Sequence, residues 1–100
     1  MMIVRILPEA EADLESIADY IARDNPRRAL SFLMELRTAC ESLVDMAQAF
    51  PIVPRYARFG VRHRVYGSYQ IFYRIVVDEE RIDIIHVIHG ARSVDLFEDI

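Results

Sequence analysis

His63 to Arg92 reads HRVYGSYQIFYRIVVDEERIDIIHVIHGAR, and the fold turns on this stretch. Tyr69, Ile71, Tyr73, Ile75 and Val77 alternate with Gln70, Phe72, Arg74 and Val76, and β-branched and aromatic residues dominate. That is the pattern of a pleated, well-covered strand. After the acidic corner Asp78-Glu79-Glu80, the run Arg81 to His89 carries apolar residues on both faces. It is expected in the middle of a sheet, under helices on one side and under some other cover on the opposite side. Val61 to Tyr66 predicts a strand before these two, Tyr66-Gly67-Ser68 the turn between strands, and Gly90 the end of the last one. In Ala91 to Ile100, Val94, Leu96 and Phe97 are the residues suited to cover the open face of the sheet.

The other half of the chain supplies the helices. Met2 to Leu7 is a short apolar run that fits a first strand, and Pro8 ends it while opening a helix, where its missing N–H has no partner to lose. Glu9, Glu11 and Asp13 crowd the first turns, at the positive end of the helix dipole. Ala10, Leu14, Ile17, Ala18 and Ile21 recur at helical spacing up to a helix end near Arg23-Asp24. Asn25-Pro26 is a second start, with Asn as N-cap. From there Ala29, Phe32, Leu33, Leu36, Cys40, Leu43, Val44 and Ala47 form an apolar stripe that predicts about five helical turns. The short link between the helices makes them an antiparallel hairpin. Tyr20, Leu30 and Met34 fall to the side of the core stripes and together suggest a docking groove. Phe50 to Gly60 has two prolines and no period, and reads as an ordered loop packed by its aromatic residues. The order β-α-α-β-β-β predicts an α+β fold: a helical hairpin on one face of a mainly antiparallel four-stranded sheet, in a single domain over residues 1–100.

Composition narrows the setting. The chain has 100 residues, 53% of them hydrophobic, which suits one compact core. Cys40 is the only cysteine, so no intrachain disulfide can form and a reducing cytoplasm is favoured. No apolar run reaches the ~18 residues of a membrane span, and Met1-Met2-Ile3-Val4-Arg5 is too short and too soon charged for a signal peptide. The expectation is a cytoplasmic chain with no membrane contact. Charge is segregated: residues 1–50 hold five Arg against nine acids, residues 51–77 five Arg and no acid, and residues 78–100 two Arg against seven acids. All twelve basic residues are Arg, the better side chain for bidentate capture of carboxylate or phosphate, although a GC-rich genome yields the same bias.

Several chemistries lack their residues. No His pair at helical spacing and no CxxC supports a metal site, and His86 and His89, three apart on a strand, point to opposite faces. Gly60, Gly67 and Gly90 are isolated, so there is no phosphate loop, and no GxSxG elbow is present. No cofactor is expected. What remains is a cationic, aromatic-laced region: Arg55, Tyr56, Arg58, Phe59, Arg62, His63, Arg64, Tyr66, Tyr69 and Arg74, with His89 and Arg92 at the far end. Three readings stand: a nucleic-acid surface, capture of an acidic protein segment, or decoration of the solvent side of a strand pair.

Leu7 to Ala29 (LPEAEADLESIADYIARDNPRRA), then Phe50-Pro51, Val65 to Ile75 (VYGSYQIFYRI) and Ile84 to Arg92 (IIHVIHGAR) together resemble the RelE/ParE family of toxins from type II toxin–antitoxin modules, in its ParE-like branch. The resemblance runs from Ile6 to Arg92. It implies a toxin held inactive by a cognate ParD-like antitoxin, whose ribbon-helix-helix domain would carry operator DNA, so that the toxin meets that DNA only through its partner. It further implies DNA gyrase as target, with Arg58, Arg62, Arg64, Arg74, His89 and Arg92 as target-binding residues and Tyr20, Leu30 and Met34 as antitoxin-binding residues. A RelE-like member would instead cut mRNA on the ribosome, with Arg62, Arg64, His89 and Arg92 as its catalytic set. The position near the C-terminus that would supply the acid or base is Phe97, which cannot transfer a proton, so the ParE-like reading leads. A non-toxic remnant that keeps only antitoxin binding is the third alternative.

Overall fold

The computed structural model describes residues 1–90 and Leu96. In chain order these form β1 (Ile3–Ile6), α1 (Pro8–Ala22), α2 (Pro26–Glu41), β2 (Val61–Tyr66), β3 (Tyr69–Val76) and β4 (Arg81–His89), with short 3-10 segments at Ser42–Asp45, Pro54–Phe59 and Val77–Glu79. The sheet order is β1-β4-β3-β2. β4 therefore lies inside the sheet, as its two apolar faces require. It pairs antiparallel with β3 and parallel with β1, and β2 pairs antiparallel with β3, so the sheet is mixed with one parallel ladder.

Local chemistry sets the helix starts. Leu7, held extended by the proline that follows it, leads into Pro8, and the Asn25 side chain accepts the Arg28 backbone N–H at 3.1 Å. α2 ends sooner than its apolar stripe predicts. Beyond Glu41 the chain tightens into a 3-10 turn, although Leu43 and Ala47 still face the core. The physical reason lies at the Ala39 carbonyl, which accepts the Ser42 hydroxyl at 3.0 Å and an Arg64 guanidinium N–H at 2.8 Å; these side chains satisfy a carbonyl of the last turn.

Leu14 and Ile17 of α1 and Phe32, Leu36 and Cys40 of α2 pack on Ile71, Tyr73, Ile82, Ile84 and Val87 of the sheet. Ile84 and Val87 share this face although they are three apart. A bulge makes this possible: Tyr73 opposes Ile84 and Phe72 opposes His86, which leaves Ile85 extra and turned to the back. There Ile85 joins Tyr56 and Val61, with Val53, Phe59, Phe72 and Leu96 packed around them. Leu96 thus covers the back face as expected, and its N–H donates to the Tyr56 hydroxyl at 3.0 Å; Val94 and Phe97 lie outside the described residues. The hairpin turn needs its glycine, since Gly67 sits at a φ of 58°. At the other corner Val77 leaves the strand pattern for the 3-10 turn. Among the described residues no helix is long and apolar enough to cross a membrane.

Candidate functional site

The basic run of the sequence is divided by the pleat of the sheet. Arg62 and Arg64 oppose Tyr73 and Ile71, so they lie on the helix side. Both guanidinium groups are half-buried and bound to the protein's own carbonyls. Arg62 Nη1 donates to Phe50 O at 2.6 Å, and Arg64 Nη1 donates to Ala39 O and to the Ser42 hydroxyl at 2.8 and 2.7 Å, its guanidinium lying over the Phe50 ring. Arg74 opposes Val61 and Asp83, on the back face. Arg58, on the 3-10 segment against that face, lies over the Phe59 ring. His89 ends β4 beside Tyr69, the two rings edge to face with centroids 5.3 Å apart, on the helix side. Arg92 lies outside the described residues. Among the described members of the expected target set, Arg62, Arg64 and His89 are thus on one side, and Arg58 and Arg74 are on the other.

The back face holds a charge cluster that periodicity did not reveal. Asp83 is buried to 4% exposure between Arg5 and Arg81, with contacts of 3.2 and 2.9 Å, and Arg81 also pairs with Glu79. Burial pushes the Asp83 carboxyl up, but hydrogen bonds from Arg81 and Arg5 outweigh it and hold the group below the ordinary aspartate range. An apolar-looking strand hid this residue; its signal was the only acid inside the β4 pattern.

The three apolar residues expected in a docking groove are all exposed, Tyr20 at 63%, Leu30 at 63% and Met34 at 61%. They do not line one groove. Met34 opens on a depression of about 480 Å³ between α2 and β2, shared with Glu35, Thr38, Ser42, Arg64 and Tyr66. Tyr20 opens on a cleft of about 530 Å³ between α1 and the far ends of β3 and β4, and Leu30 lines neither. The first depression has an ordered polar rim. Glu35 receives Arg28 and the Tyr66 hydroxyl, the latter at 2.8 Å; those two hydrogen bonds, Arg28 first, lower its carboxyl, and the same bond raises the Tyr66 phenol. Arg28 and Glu35 are seven apart on a helix, a spacing of two turns that could have flagged them.

His63 Nδ1 meets Gln70 Oε1 at 2.9 Å and His86 Nδ1 meets Asp13 Oδ2 at 2.8 Å. Burial pushes the Cys40 thiol up to about 12, which makes it a core residue and a poor nucleophile. Among the described residues no group of three His, Cys, Asp or Glu is placed to hold a metal ion.

Comparison with known proteins follows the same lines. No curated protein matches the sequence. Among solved structures, a chain from the chromosomal ParDE toxin–antitoxin system of P. aeruginosa superposes with a TM-score of 0.74 at 22% identity, covering 89% of this chain and 96% of that one. A chain from the RelBE2 toxin–antitoxin complex of Mycobacterium tuberculosis gives 0.63 at 21% identity, covering 88% and 96%. Residues 4–94 match the family model described as the ParE toxin of the type II toxin–antitoxin system parDE. With nearly the whole α+β framework inside that match, the chain belongs to the ParE family of type II toxins.

Proposed function

We propose that this toxin acts in the manner of the ParE-like branch: it grips DNA gyrase and does not itself break a bond. The observation that carries the reading is the engagement of Arg62 and Arg64. An endoribonuclease needs cationic groups presented to the scissile phosphate and a donor placed for proton transfer. Here both guanidinium groups are bound to Phe50, Ala39 and Ser42. The fold is common to both branches, so the site chemistry has to decide between them. Arg58 and His89 are exposed and Arg74 is half-buried; these are the described residues of the expected set left to meet a target, joined in the proposal by Arg92.

The partner in this reading is a cognate antitoxin, ParD-like, meeting Tyr20, Leu30 and Met34. Exposure of all three leaves their apolar side chains accessible to a partner. The antitoxin would carry operator DNA, and the pair would reside in the cytoplasm. Purified toxin added to a gyrase supercoiling reaction is expected to inhibit it and to accumulate cleaved DNA. Codon-specific cuts in ribosome-bound mRNA, with supercoiling unaffected, would assign the protein to the RelE-like branch. Harmless expression without antitoxin, binding retained, would identify a remnant.

A further inference from the structure

α2 turns Phe32, Leu36 and Cys40 into the core, and the side of the helix directed away from them is a single exposed stripe of Arg27, Leu30, Met34, Thr38 and Glu41. Steps of three, four, four and three residues, at 100° each, keep the five within about 80° of the helix circumference. Leu30 and Met34 are the apolar middle of the stripe, and both are largely exposed. Its two ends are charged, Arg27 at one and Glu41 at the other.

These charges run against the dipole of their own helix. The first turn of α2 carries Arg27 and Arg28 and no acid, and the last turn ends on Glu41 and has no base. A helix favours the reverse, with anions at its N-terminus and cations at its C-terminus. Arg28 is relieved by Glu35, and Arg37 by Glu11 at 2.7 Å, whereas among the described residues Arg27 and Glu41 are in no ion pair. Met34 stands seven residues from each of them, ~10 Å along the axis. The stripe is therefore its own complement when a copy is laid on it antiparallel. Arg27 then comes opposite the copy's Glu41 and Glu41 opposite the copy's Arg27, while the acidic end of each helix reaches the positive N-terminus of the other.

We propose that the outer face of α2 docks on a second copy of this chain, as a twofold antiparallel helix pair that crosses at Met34. The crossing is shallow, about 20°, because a crossing near 50° would carry the helix ends apart by a further ~9 Å and part Arg27 from Glu41. Two apolar side chains per copy fall short of the ~800 Å² a side of a standard interface, so the pair is weak, with a dissociation constant of about 10 to 100 µM. Leu30 and Met34 are also antitoxin contacts in the function proposed above. On that reading, on which this one consequence rests, pairing and antitoxin binding exclude each other.

Sedimentation velocity from about 1 to 200 µM reads the pairing for the wild type, Arg27→Glu, Glu41→Arg and an equimolar mixture of the two variants, with thermal unfolding of each dilute chain. Both substitutions suit the helix dipole, so neither variant should melt below wild type. Each variant alone sets like charges against each other at both ends of the pair and is expected to weaken it at least about tenfold. Mixing the two restores opposite charges at both ends and is expected to bring association back to within about threefold of wild type. A wild type that stays monomeric through that range, variants that each pair within about twofold of wild type, or a mixture no stronger than its parts overturns the proposal. Met34→Cys places a thiol on the twofold axis, and mild oxidation with copper phenanthroline should join two such chains by a disulfide. The product of the neighbouring reading frame, bound to that variant, is expected to suppress the link. A link that forms undiminished in the complex overturns the exclusion, and a product that does not bind the chain removes the antitoxin reading, with the pairing decided by the sedimentation result alone.

Discussion

Replacing Arg64 separates a structural from a contact role for the basic run. In the folded chain one guanidinium nitrogen donates to Ala39 O at 2.8 Å and Ser42 Oγ at 2.7 Å, and the group lies 5.1 Å from the centre of the Phe50 ring. Arg64→Ala removes two hydrogen bonds from a charged donor, each worth about 1.5 to 3 kcal/mol at most, and a ring contact of about 0.5 to 1 kcal/mol. The two bonds share one nitrogen, and the Ala39 carbonyl keeps its bond from the Ser42 hydroxyl at 3.0 Å. A net loss of about 2 to 3 kcal/mol follows, toward the lower end of that range of contributions. For a domain this size each kcal/mol moves the melting temperature by about 4 to 8 °C, so the midpoint should drop by roughly 10 to 20 °C. Arg64→Lys, with one ammonium and no planar fork, should recover only part of this. Thermal unfolding by circular dichroism, run beside growth arrest on induction, reads both consequences. Arg58→Ala serves as the surface control, expected within about 1 kcal/mol of wild type. An Arg64→Ala chain that melts within about 2 °C of wild type yet has lost toxicity would refute the reasoning, because Arg64 would then be acting on the target directly.

Two further outcomes follow from the same geometry. Met34→Asp should stay within about 0.5 kcal/mol of wild-type stability while weakening the antitoxin complex, whereas Leu36→Ala, in a side chain with no exposure, should cost about 2 to 5 kcal/mol; urea unfolding checks both, and unfolding by Met34→Asp would make that residue part of the core. Asp83 has a folded pKa below its unfolded value, so the stability it contributes is present above the unfolded carboxylate range and is lost as pH falls through the folded value; urea midpoints from pH 6 down to about 2 should show a smaller acid-side loss for Asp83→Asn than for wild type, and parallel curves would remove Asp83 from the account.

The framework of this fold was legible because it rests on period and punctuation. Alternation from Tyr69 to Val76, two apolar faces from Arg81 to His89, and Pro8 and Asn25-Pro26 at the helix starts each act within a few residues, and each element formed where those signals stood. The site was less legible because its chemistry depends on which face a strand residue takes and what lies across from it. Arg62 and Arg74 belong to one basic run in the sequence, yet one opposes Tyr73 under the helices and the other opposes Asp83 on the back. The bulge at Ile85 shifts the parity between Ile84 and Val87, and no local pattern announces it. The division has a functional consequence. Arg62 and Arg64, bound to backbone carbonyls, fix the Phe50 loop and the end of α2. Arg62 and Arg64 then matter to a target chiefly by holding the surface that Arg58, Arg74 and His89 present, so truncating them should lower stability and activity together. Truncating Arg74, which among the described residues holds no loop or helix end in place, should lower activity first.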